Sequence, residues 1–91
     1  MRITFCKIYL QLPYIESLKG RRKVINSIKS KLKKLNISIL DISGEYAKEV
    51  DFALVFLSPD TISAKQYENK IELLMQRNFC EYDFEIICEE I

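Results

Sequence analysis

The chain has 91 residues, 48% of them hydrophobic and 30% charged, with two glycines and two prolines. That length accommodates one domain over residues 1–91, burying roughly 60–65% of the surface exposed by the unfolded chain, and the composition excludes a disordered or fibrous protein. The net charge of +1 hides a division, because residues 1–44 carry ten bases and two acids whereas residues 45–91 carry four bases and eleven acids.

The cysteines Cys6, Cys80 and Cys88 form no CxxC pair. An odd count without an N-terminal signal segment argues against a disulfide framework and for a reduced, cytoplasmic protein. The longest wholly apolar run, Phe52 to Leu57, is far shorter than the roughly 20 residues of a membrane-spanning helix, so no membrane segment is predicted.

Residues 2–12 alternate. Ile3, Phe5, Lys7, Tyr9 and Gln11 fall on one face, and Thr4, Cys6, Ile8, Leu10 and Leu12 on the other. This is the period of a strand, and the second set is the face expected to meet helices. Pro13 ends it, having no N–H for a ladder. Phe5, Lys7 and Tyr9 make a mixed outer face available for contact. Aromatics so placed stack RNA bases in some proteins and merely pack in many others.

Ser17 to Leu35 follows, with Ser17 suited to cap a helix. Leu18, Ile25, Ile28, Leu32 and Leu35, with Val24 beside them, form one apolar stripe. Lys19, Arg21, Arg22, Lys23, Lys29, Lys31, Lys33 and Lys34 occupy the rest, with no acid among them. Like charges at helical spacing repel, so such a face needs an external anion. Nucleic-acid phosphates supply one, with release of counterions. The alternative is a solvated face neutralised by the acidic second half of this chain or of a partner subunit. A membrane surface is disfavoured, because the apolar stripe is needed for the core.

Pro13 to Lys31, with the preceding strand and the following LNISILDIS, resembles the short bacterial proteins of the domain of unknown function 503 family. Ser17, Leu18, Lys19, Gly20, Arg21 and Arg22 are the most specific part, joined by Asn36 to Ile39. The resemblance extends from the first strand to about Ser58. It implies a ferredoxin-like plait and, from the placing of the family's genes among those for translation initiation and ribosome maturation, a role at RNA or the ribosome. Where the family carries a loop ending in Leu-Trp-Gln-Arg-Ala, this chain has Tyr46, Ala47, Lys48, Glu49 and Val50.

Asn36–Ser43 and Val50–Ser58 read as a hairpin of two strands around Ser43 and Gly44. The latter is apolar on both faces, Phe52, Leu54 and Phe56 against Ala53, Val55 and Leu57, so burial on both sides is expected. A sheet with helices on one side then needs a second cover, which a homodimer or another partner on the open face provides. Ser58 to Thr61 open a second helix with Ala64, Tyr67, Ile71, Leu74 and Met75 inward, ending near Asn78. Its exposed residues mix signs. The last strand, residues 81–91, places Tyr82, Phe84, Ile86 and Cys88 inward and Asp83, Glu85, Ile87 and Glu89 outward, acids that blunt an edge strand.

The chain contains no histidine, no glycine-rich phosphate loop after a strand and no metal-ligand spacing, so neither catalytic site nor cofactor is predicted. The order strand, helix, strand, strand, helix, strand predicts an α+β ferredoxin-like plait: a four-stranded antiparallel sheet with two helices on one face. Two functions fit. One is a non-enzymatic RNA-binding or ribosome-associated factor acting through the basic helix. The other is a protein-interaction module that pairs through the sheet face, at Phe5, Lys7 and Tyr9, without affinity for nucleic acid.

Overall fold

Alternation along residues 2–12 becomes β1 (Arg2–Gln11), one of the two central strands of the sheet. The computed structural model describes all 91 residues. After β1 come α1 (Leu18–Leu32), a 3₁₀ turn (Lys33–Leu35), β2 (Ser38–Asp41), β3 (Glu49–Ser58), α2 (Thr61–Asn78) and β4 (Asp83–Glu90). The strands form one antiparallel sheet in the order β2-β3-β1-β4, the predicted plait.

Strand parity divides the sheet as the sequence does. Thr4, Cys6, Ile8, Leu10 and Leu12 are buried, as are Val50, Phe52, Leu54 and Phe56 of β3. Ile25, Ile28 and Leu32 of α1 and Ala64, Ile71 and Met75 of α2 close the same core. Tyr67 of α2 stacks on Phe56 at 4.7 Å between ring centroids. Burial of these side chains, each contributing about 1.5–3 kcal/mol when large and aliphatic or aromatic, is the main force holding the helices to the sheet.

Local signals set the helix ends. The Ser17 hydroxyl accepts from the Gly20 N–H at 3.1 Å, and Asp60 accepts from the Ser63 N–H at 2.7 Å, so each helix has a side-chain N-cap. After the 3₁₀ turn, Asn36 takes a left-handed φ of 57° and ends the helical run, the conformation in which asparagine substitutes for glycine. The predicted strand from Asn36 is therefore shorter. Asn36 serves as the cap, Ile37 leans on the core, and the ladder begins at Ser38. At its far end Asp41 accepts from the Ser43 N–H and the Ser43 hydroxyl bonds to Asp51, which turns the chain out of the ladder.

Two expectations are corrected. Leu18, assigned to the apolar stripe, is 52% exposed; Ile15, just ahead of the helix, packs on the core instead. A Cβ on Gly20 would lie only 3.3 Å from the Ile15 side chain, so the glycine allows this close approach. The second face of β3 is open within this chain, with Val55 and Leu57 exposed and Ala53 half-buried, so any cover for it lies outside the chain. Cys6 and Cys88, read as independent core side chains in a reduced protein, are joined by a disulfide. They stand directly opposite in the β1–β4 register, a closeness that 82 residues of sequence separation conceal. Cys80 is free and exposed.

Candidate nucleic-acid interface

The core contacts of Ile25, Ile28 and Leu32 fix the rotation of α1 about its axis and so decide which bases face water. Lys19, Arg22, Lys23, Lys33 and Lys34 are exposed, and Lys29 and Lys31 are half-buried along their stems, as long amphipathic side chains are at the flank of a packed helix. The ridge is bounded by two open grooves. One, of about 350 Å³, runs between α1 and β2 and includes Arg22, Asn26 and Lys29. The other, of about 290 Å³, lies towards the end of α2 and includes Lys23, Ser27 and Lys31.

No carboxylate of the acidic half forms an ion pair with this ridge, although Glu81 borders the second groove beside Lys23 and Lys31. The ion pairs are Arg2 with Glu90 at 4.0 Å and Lys65 with Glu68 at 3.6 Å, and neither involves α1. Asp41, the acid bordering the β2 groove, has an oxygen engaged by the Ser43 N–H at 2.9 Å.

Arg21 departs from its neighbours. Its Nη1 donates to the carbonyl oxygens of Gly44 at 2.7 Å, Tyr46 at 2.9 Å and Glu49 at 3.2 Å. It ties α1 to the loop between β2 and β3 and also lines the groove beside β2 with Arg22 and Lys29. The acceptors lie 23 to 28 residues downstream and are backbone atoms, so spacing along the helix carries no sign of them. Two of the three acceptors, Tyr46 and Glu49, fall in the stretch Tyr46–Val50 noted above as departing from the resemblance. Because Arg21 reads only carbonyls there, the changed side chains at Tyr46 and Glu49 leave the clamp intact.

The open side of the sheet carries the other predicted set. Phe5 and Tyr9 are half-buried and Lys7 is exposed. Tyr9 donates its hydroxyl to Glu49 at 2.9 Å. The Gln11 side chain lowers the Tyr9 pKa, but the Glu49 bond, partial burial and the charges of Glu49 and Asp51 raise it, leaving it net above the ordinary tyrosine value. Register sets Asp51, Tyr9 and Glu85 in one row and Glu49, Gln11 and Asp83 in the next. This end of the face is thus lined by carboxylates, which repel phosphates; an RNA-stacking role for Phe5 and Tyr9 is unsupported by their surroundings. The molecule has a basic helical side and an open sheet face with an acidic end.

These features define a ferredoxin-like α+β plait with a specialised, unpaired basic first helix. The chain belongs to the family described as "Protein of unknown function (DUF503)", whose model matches residues 3–89. Among curated proteins no sequence match is found. Similar solved structures include a PII-like signalling protein from Thermus thermophilus, 14% identical with a TM-score of 0.59, over 100% of this chain and 87% of that one. The P2 domain of the chemotaxis kinase CheA from Thermotoga maritima is 15% identical with a TM-score of 0.59, each chain covered completely. A protein of unknown function from Nitrosomonas europaea reaches 0.61 at 13% identity, over 100% of this chain and 90% of that one. At such identities the likeness is one of fold alone. No helix is long and apolar enough to cross a membrane.

Proposed function

We propose that the protein is a non-enzymatic RNA-binding factor, with ribosomal RNA as its polyanion, and that the exposed bases of α1 bind phosphates. The observation that carries this reading is the absence of any carboxylate within ion-pair distance of the helix. Self-repulsion among Lys19, Arg22, Lys23, Lys33 and Lys34 costs stability in the free chain, and a phosphate backbone relieves it while releasing counterions. Lys29 and Lys31, at the mouths of the two grooves, extend the contact to either side of the ridge. Arg21 stays on its loop and supports the surface rather than forming it.

The role is tested by co-sedimentation of the endogenous protein with ribosomal subunits in sucrose gradients, at low and then high salt. Association at low salt that is lost at high salt is expected. Migration at the top of the gradient at both salts contradicts a ribosomal target.

A further inference from the structure

The groove between α1 and β2 is not lined as a site for phosphate alone would be. Arg22, Asn26 and Lys29 stand at i, i+4 and i+7 on one side of α1, a row about 10.5 Å long. Beside them lie Leu18, 52% exposed, and the buried Ile25. Asp41 of β2 also borders the groove, its Oδ1 accepting from the Ser43 N–H at 2.9 Å and its other oxygen free. An exposed leucine and a carboxylate both weaken a site for bare phosphate, yet each matches a part of a nucleotide. The groove beside α2 lacks this combination. None of its apolar residues Val24, Phe79 and Tyr82 is exposed, and its Asn78 amide already donates to the Leu74 carbonyl at 2.9 Å.

We infer, on the RNA-binding reading above, that this groove receives one unstacked base of a single RNA strand and selects a base that carries an exocyclic amino group. The base lays its flat face on Leu18, and the phosphates on either side of it meet Arg22 and Lys29. Its amino group donates to the free oxygen of Asp41, while the exposed Asn26 amide donates to an acceptor on the same edge. Unstacked bases are the usual targets of sequence-specific recognition in RNA, their edges read by hydrogen bonds while apolar side chains cover their faces. Cytosine, adenine and guanine carry the required amino group. Uracil does not: its one edge N–H lies between two carbonyl oxygens, which a carboxylate repels. The groove, of about 350 Å³, has room for a base with its ribose. Arg21, held by its three loop carbonyls, is a fixed wall of the groove rather than a phosphate ligand.

Fluorescence anisotropy at one fixed salt concentration, with oligocytidylate, oligouridylate and an abasic strand of equal length, reads the outcome. Oligocytidylate should bind about fivefold tighter than oligouridylate, the scale of one hydrogen bond, and the abasic strand should bind most weakly. Asp41→Asn still accepts from the Ser43 N–H but offers the base an N–H in place of an oxygen, and should bring the two base-bearing strands to equal affinity. Leu18→Ala should weaken both of them towards the abasic strand and leave the salt dependence unchanged. Both positions are exposed, so circular dichroism of the variants should match the parent. Equal affinity of the parent for cytidylate and uridylate overturns the inference, as does a cytidylate preference that survives Asp41→Asn. Free cytidine monophosphate displacing the strand at equimolar concentration assigns the groove to a mononucleotide and overturns it too. Salt-sensitive binding that ignores the bases leaves the RNA reading standing without the base site, whereas no binding to any strand removes both.

Discussion

Replacing Arg21 by alanine removes the donor shared by three loop carbonyls, and a lost charge-assisted bond of this kind costs about 1.5–3 kcal/mol. Urea unfolding should show that decrease, whereas Arg22→Ala, on an exposed side chain without a partner, should leave the midpoint nearly unchanged. Equal effects at both positions would contradict the division of labour between these neighbours. The second residue-scale prediction concerns Cys6 and Cys88. Their bond closes nearly the whole chain, with a sequence separation of 82, and chain-entropy arguments give such a loop a contribution of about 4 kcal/mol. Cys6→Ser should lower the unfolding midpoint accordingly in the absence of reductant; an unchanged midpoint would contradict a bond formed in solution. Both features escaped sequence reading for one physical reason. They join residues that only the sheet register or the helix–loop packing brings together, and neither leaves a local pattern.

At the level of elements, patterns with short periods were legible. Two-residue alternation places the inner faces of β1 and β4 correctly, and the 3.6-residue recurrence places Ile25, Ile28 and Leu32 on the core side of α1. The Ser17 cap was legible for the same local reason, and the Asp60 cap falls within the stretch Ser58 to Thr61 assigned to the start of α2. The open face of β3 was legible as a surface in need of a cover, but apolar composition does not name what covers it. The Asp60 cap gives a pH test. Hydrogen bonds from the Ser63 backbone N–H, and then its side chain, hold the Asp60 carboxyl below the usual carboxylate range. A pKa lowered by folding contributes stability that is present above the unfolded value of about 4 and is lost as pH falls through the folded value. Asp60→Asn keeps an acceptor at the cap and removes this titration. Its stability should therefore fall less steeply on acidification than the parent's, measured by urea unfolding between about pH 6 and about pH 3. Parallel acid limbs would show that the cap charge contributes nothing to the α2 terminus.

Across the whole molecule, the charge division read from the two halves of the sequence becomes a spatial one. Bases line the outer side of α1 and Glu49, Asp51, Asp83, Glu85 and Glu89 lie on the open face of the sheet, while Asp41 and Glu81 border the helix itself. A polyanion on the helical side therefore leaves the open sheet face free. The central claim is that the exposed bases of α1 bind RNA phosphates, and it is tested most directly by fluorescence anisotropy with a labelled single-stranded oligouridylate across a series of salt concentrations. The logarithm of affinity should fall linearly with the logarithm of salt, with a slope of about −0.7 for each phosphate neutralised, and Arg22→Glu with Lys23→Glu should flatten the slope and weaken binding at every salt. Affinity independent of salt, or a double variant that binds as the parent does, would contradict the assignment of RNA binding to this helix.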